Sequence, residues 1–145
     1  MDANKKICSV LMVDDSGDDR FLMRMAFRNH PRLVIVGEVG DGEEAKAYLS
    51  GTGIYQDRRM HPFPDLLLLD LKMPLCNGFE VLAWLHTQSF PDLKVVVLSG
   101  SFMEEDIAQA LALGADDYQT KTASKQEQAQ IVKDLEQLMT GGSQT

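Results

Sequence analysis

The stretch Asp65-Leu66-Leu67-Leu68-Leu69-Asp70-Leu71-Lys72-Met73-Pro74 determines how the rest of the chain is read. Four consecutive leucines leave no side for water, so they read as a short strand buried on both faces, as in a parallel sheet. The run closes on a carboxylate, and Pro74 and Asn77-Gly78 signal a turn just beyond it. Asp70 is then either a turn-starting aspartate or a group held at the rim of the sheet for chemistry.

Working toward the N-terminus, Leu33–Val36 is a second strand candidate and Ile7–Val13 another, rich in β-branched residues and closed by Asp14-Asp15. Between them Ser16 offers a helix cap with acids in the first turn, and Phe21, Leu22, Met25 and Ala26 form an apolar stripe that ends at Asn29-His30-Pro31. Asp41 caps a second helix with Ala45, Tyr48 and Leu49 inward and Gly51 as its stop. Gly51–Pro64 is the one long irregular connection; it reads equally as a functional loop or as a tolerated surface insertion, and His61 within it has no partner in sequence.

Toward the C-terminus, Asn77 and Glu80 form a capping pair for a third helix carrying Val81, Leu82 and Leu85 inward, with Trp84 at the edge of that face. Leu93–Leu98 is a β-rich run ending in Ser99-Gly100-Ser101. Ser101 and Glu104 read as a capping box for a fourth helix through Ile107, Ala108 and Leu111, stopped by Gly114. Asp116–Thr120 is a polar strand, short or at an edge, and Ser124 with Glu127 caps a fifth helix with Ile131, Val132, Leu135, Leu138 and Met139 inward. Strict strand–helix alternation predicts an α/β fold: a flavodoxin-like, doubly wound, five-stranded parallel sheet of order 2-1-3-4-5 with five helices. Residues 1–140 form one domain on this reading, and 141–145 a disordered tail.

At 145 residues and a net charge of −8 the chain suits a soluble domain and not a binder of nucleic acid. Cys8 and Cys76 lie far apart without metal-ligand spacing and read as free thiols of a reducing compartment. The first apolar run is cut by Asp14-Asp15, which excludes a signal peptide or membrane span there. A cytoplasmic location is expected.

In a parallel sheet the carboxyl ends of all strands meet at one edge, and ligands bind where the strand order reverses. Asp14 and Asp15 follow the first strand, Asp70 the third, Ser99 the fourth and Lys121 the fifth. Each alone has an ordinary role: a helix-terminal acid, a turn residue, a surface lysine. Together they place three carboxylates at the switch point, where they repel one another unless a cation sits among them. Oxygen-only ligands fit Mg²⁺ better than zinc or copper, and a hydroxyl and an ammonium beside them suit a transferring phosphoryl group.

Val13-Asp14-Asp15-Ser16, Leu69-Asp70-Leu71-Lys72-Met73-Pro74, Val97-Leu98-Ser99-Gly100 and Gly114-Ala115-Asp116-Asp117-Tyr118-Gln119-Thr120-Lys121 resemble the receiver domain of two-component response regulators. The resemblance implies that Asp70 is the phosphoacceptor, that Asp15 binds Mg²⁺ directly and Asp14 largely through water, and that the Lys72 backbone carbonyl completes the ligands. It further implies that Lys121 pairs with the phosphoryl group and that Ser99 and Tyr118 are the switch residues. The implied partners are a histidine kinase or histidine phosphotransfer protein and a downstream protein, with a homodimer also compatible and neither nucleic acid nor membrane involved. Such a protein is a phosphorelay signalling switch and not an enzyme, catalysing at most its own phosphorylation and dephosphorylation. The Gly51–Pro64 connection is similar to that of small stand-alone receivers that partner phytochrome-type or hybrid histidine kinases.

Two positions depart from the family pattern. Thr122 stands where a proline usually follows the lysine, and the fifth strand is more polar than usual. Two other α/β chemistries fit these residues less well. A haloacid dehalogenase-like phosphatase needs a second carboxylate two residues after its nucleophile, where this chain has Lys72. A flavodoxin-like cofactor binder needs a phosphate loop after strand one, and Asp14-Asp15-Ser16-Gly17-Asp18-Asp19 would repel a phosphate.

Overall fold

A computed structural model describes residues 6–141. Five strands, β1 (Cys8–Val13), β2 (Leu33–Val39), β3 (Leu66–Leu69), β4 (Lys94–Ser99) and β5 (Asp117–Thr120), pair in parallel in the order β2-β1-β3-β4-β5. Five helices alternate with them: α1 (Gly17–Phe27), α2 (Gly42–Ser50), α3 (Gly78–Leu85), α4 (Glu104–Ala112) and α5 (Lys125–Thr140). The order reverses between β1 and β3, as the strand–helix alternation with right-handed crossovers predicted.

The four leucines of β3 divide between two cores because side chains alternate along a strand. Leu66 and Leu68 face Val10 and Met12 of β1, Met23 and Phe27 of α1, and Ile131, Val132 and Leu135 of α5. Leu67 and Leu69 face Leu11 and Val13, the Ala45, Tyr48 and Leu49 face of α2, and Val81 and Leu82 of α3. All four are essentially inaccessible to solvent, so β3 has one allowed position in the sheet. A shift of one residue would exchange the two cores.

The helix caps follow the sequence except at α4. Ser16 Oγ accepts from Asp19 N, Asp41 Oδ1 from Glu44 N, and Asn77 with Glu80 completes a capping box. Gly51 ends α2 in the left-handed region at φ 67°, and Gly141 closes α5 at φ 68°. The rest of the expected tail, 142–145, lies outside the described residues. The Ser101–Glu104 capping box does not form: Met103 is the N-cap of α4 and lends no side-chain hydrogen bond. Ser101 Oγ instead donates to Asp106 Oδ2 at 2.6 Å and accepts from Met103 N at 3.2 Å, from a position two residues ahead of the cap.

Two expected helix faces are also rotated. In α1 the buried pair is Met23 and Phe27, with Ala26 packed against them, while Phe21, Leu22 and Met25 are exposed. In α4 the buried residue is Ala110; Ala108 and Leu111 face outward and Ile107 is half-buried. β2 runs on to Val39, past the expected end at Val36, because a bulge lets Leu11 pair with Gly37 directly after Val10 pairs with Ile35.

The long connection is a built structure. Arg58 donates from Nη1 to the carbonyls of Tyr48 (2.7 Å) and His61 (3.1 Å), and from Nη2 to that of Leu49 (2.8 Å). It thereby satisfies last-turn carbonyls of α2 that helix geometry leaves open. Tyr48 Oη donates to Pro62 O at 2.9 Å, and Tyr48, Tyr55 and His61 cluster with centroids 4.9–5.8 Å apart, the histidine edge-on to both tyrosines.

Candidate functional site

The carboxyl ends of β1 and β3 bring Asp14, Asp15 and Asp70 together, one oxygen of each lying within 4.8 Å of the others. Asp14 and Asp70 are buried, and Asp15 is exposed. Backbone bonds hold the two buried acids: Asp14 N donates to Val39 O at 3.0 Å and Asp70 N to Val13 O at 2.9 Å. Ser16 N donates to Asp14 Oδ1 at 2.9 Å, Leu71 N to Asp70 Oδ1 at 2.8 Å, and Arg20 reaches back to the Asp14 carbonyl. Each carboxylate therefore keeps one oxygen fixed by the chain and turns the other into the site.

The turn after Asp70 depends on a glycine. Gly78 opens α3 with its N–H donating to Leu71 O at 2.8 Å, so close that a Cβ there would stand 2.3 Å from the Asp70 carbonyl oxygen. The left-handed position of the turn falls on Leu75 (φ 66°), a residue the sequence does not mark for it.

Lys121 enters from the end of β5. Its ammonium lies 3.2 Å from Asp70 Oδ2, 2.9 Å from Asp14 Oδ2 and 2.7 Å from Asp19 Oδ2. Desolvation opposes the charge, but the hydrogen bonds to Asp19 and Asp14 outweigh it and hold the lysine above its ordinary range. Burial pushes the Asp70 carboxyl up to about 6; Lys121 pulls it down and Asp14 pushes it up. That excess of buried negative charge is what a cation would relieve. The donor set is oxygen only, three carboxylates close enough to share one ion, and it fits a hard divalent cation.

Ser99 and Lys72 border the same groove of about 460 Å³ as Asp70 and Lys121, between the ends of β3 and β4. Ser99 is buried, and its Oγ accepts from Ser101 N at 3.2 Å. Tyr118 does not line that groove. Its hydroxyl donates to Ser101 O at 2.7 Å, tying β5 to the loop between β4 and α4. After Lys121, where proline is usual, Thr122 Oγ1 donates to Glu127 and accepts from Ser124 N, while buried Gln128 donates from Nε2 to Thr122 O at 2.8 Å. The loop is set by side chains in place of a proline ring. Sequence reasoning missed Asp19, Arg20 and Gln128; Asp19 and Lys121 are 102 residues apart, and only the acid-rich start of α1 hinted at the pairing.

The chain belongs to the response regulator receiver domain family, which residues 10–133 match. The match is to a receiver domain and favours neither a phosphatase nor a flavodoxin-like cofactor binder. The nitrate/nitrite response regulator protein NarL of Escherichia coli (strain K12) is 34% identical over 139 residues, 96% of this chain. The chain spans 58% of that relative's length. The response regulator Rcp1 of Synechocystis sp. is 33% identical over 134 residues, 88% of this chain and 85% of the relative. A manganese-bound structure of Rcp1 superimposes with a TM-score of 0.73 over 90% of this chain and 92% of that one, at 32% identity. The phosphorylated cyanobacterial phytochrome response regulator RcpA superimposes with a TM-score of 0.81, at 34% identity, over 95% of this chain and 97% of that one.

Proposed function

We propose that Asp70 accepts a phosphoryl group from a phosphohistidine, on a histidine kinase or a histidine phosphotransfer protein, and that the chain passes the signal on by protein–protein contact or phosphorelay. The observation that carries this reading is the Asp70 carboxylate at a sheet edge, one oxygen fixed by Leu71 N and the other 3.2 Å from Lys121 Nζ. The Oδ2 lone pair forms the new bond to phosphorus as the phosphorus–nitrogen bond breaks and its electron pair returns to the ring; with the other ring nitrogen of the phosphohistidine protonated, the products are an acyl phosphate and a neutral histidine. Lys121 pairs with a phosphoryl oxygen, and the Ser99 hydroxyl, at the wall of the same groove, hydrogen-bonds another. Mg²⁺, held by Asp14, Asp15, Asp70 and the Lys72 carbonyl, would neutralise charge on the transferring group. Manganese in the Rcp1 structure supports a divalent ion, and the oxygen donors support magnesium as the resident one.

Tyr118 is the second switch residue. Ser101, the residue that holds its hydroxyl, also bonds Ser99, so movement of Ser99 toward a phosphoryl oxygen disturbs the Tyr118 contact and the surface formed by α4, β5 and α5. The phosphoryl group thereby biases an equilibrium between two arrangements. The structural likeness to RcpA supports a partner kinase of the phytochrome type. Buried free Cys8 and Cys76 suit the cytoplasm, and no helix among the described residues is long and apolar enough to cross a membrane.

The test is labelling with acetyl phosphate and a divalent cation. A hydroxylamine-labile adduct forms on the wild-type chain and is lost in Asp70→Asn; labelling that persists unchanged in the variant refutes the assignment.

A further inference from the structure

An ammonium has three N–H donors, and in this site Lys121 donates to Asp19 and Asp70 while its charge also pairs with Asp14 Oδ2 at 2.9 Å. Two of the three acids, Asp14 and Asp70, belong to the cluster that can hold a cation. Asp19 does not, yet it makes the shortest contact, 2.7 Å from Oδ2 to Lys121 Nζ. Its position is set by the start of α1: Asp19 N donates to the Ser16 cap at 3.1 Å, which fixes the first turn and aims the side chain across the groove toward β5. Asp19 also borders the groove shared by Asp70, Ser99 and Lys121, so it stands beside the space a phosphoryl group would fill.

The phosphoryl group and Asp19 therefore compete for the same donor. A phosphoryl oxygen at Asp70 that draws the Lys121 ammonium toward itself draws it away from Asp19. A cation among Asp14, Asp15 and Asp70 engages the other two acids and leaves Asp19 as the remaining rival.

We propose that Asp19 is a positioning residue that restrains Lys121 and sets how strongly the site holds a phosphoryl group. The inference rests on Asp70 as the phosphoacceptor and goes beyond it by naming what the phosphoryl group must displace. The Asp19 side chain is 38% exposed, so water screens the pair and the restraint is moderate, on the order of three- to tenfold in affinity for a phosphoryl mimic.

The experiment is a titration of beryllofluoride, with Mg²⁺, followed by fluorine NMR on the full chain. Asp19→Asn binds the mimic about three- to tenfold more tightly than the wild type, with shifted fluorine resonances. Asp19→Glu, which keeps the charge, stays within about twofold. In a Lys121→Ala background Asp19→Asn has no further effect, because the restraint acts through the lysine. Equal or weaker binding by Asp19→Asn overturns the inference alone, as does a tightening that persists in full without Lys121. A wild-type chain that takes up no beryllofluoride overturns the Asp70 assignment and this inference with it.

Discussion

Gly78→Ala and Gly17→Ala make the same chemical change at the first residue of two helices, and the structure assigns them opposite signs. In an open helix the methyl group stabilises, by up to about 1 kcal/mol, because alanine loses less backbone entropy than glycine. A Cβ on Gly17 meets nothing nearer than Arg20 Nη2 at 3.8 Å, the end of a flexible side chain. A Cβ on Gly78 would lie 2.3 Å from Asp70 O, 2.7 Å from Leu71 Cα and 3.0 Å from Asp70 C, where ordinary contact begins at 3.4 Å. All three are backbone atoms of the segment that carries Asp70. To relieve the clash α3 or the Asp70–Leu71 peptide must move by roughly 1 Å, at a cost of about 1–3 kcal/mol that exceeds the helix gain. A displacement of that size at a reacting group slows transfer by on the order of a hundredfold. Urea denaturation and the time course of acetyl phosphate labelling measure both effects. Gly78→Ala unfolds earlier and labels slowly, whereas Gly17→Ala keeps wild-type stability or better. A Gly78→Ala protein as stable as Gly17→Ala, and labelled at the wild-type rate, would refute the close-approach argument.

Without divalent cations, Asp70→Asn is more stable than the wild type at pH 7 by on the order of 2–3 kcal/mol, because the buried carboxyl rises from 3.8 to about 6 on folding. The folded state holds that proton more tightly than the unfolded chain, so wild-type stability falls as pH rises from about 4 to 6. The gap between the proteins closes by pH 4, and denaturation curves across that range check it. Arg58→Ala removes three hydrogen bonds to carbonyls and costs about 2–3 kcal/mol; limited proteolysis then cuts within 51–64 while labelling of Asp70 continues at the wild-type rate. Gln128→Ala leaves the Thr122 carbonyl without its buried donor, costs about 1–3 kcal/mol, and weakens beryllofluoride binding by slackening the loop after Lys121.

The topology was legible because β3 admits few alternatives: four leucines that must all be buried need a layer on each side, and right-handed crossovers then leave one common order. The site followed from the same logic, since each candidate acid ends a strand. What the sequence concealed has particular causes. Residues 21–23 and 25–27 of α1 are all apolar, so periodicity alone does not choose between the Phe21, Leu22, Met25 face and the Met23, Phe27 face. Gly37 and Glu38 look like strand breakers, yet the bulge keeps both in β2, and Glu38 is paired with Arg20 and Arg24. Ser101 has the right spacing for a capping box, but its hydroxyl is engaged elsewhere. The contacts of Asp19 and of Arg58 depend on tertiary geometry that no local pattern encodes.

Ser101 joins three elements with the atoms of one residue: its N–H to Ser99, its carbonyl to Tyr118, its hydroxyl to Asp106 of α4. Such a junction has little freedom to yield along one arm alone. A pull on Ser99 strains the attachments to the edge strand and to the helix at once, so the three give way together. The outer surface would then change in a single step, whatever the size of the movement at Asp70, and a partner waiting there would read presence or absence instead of degree.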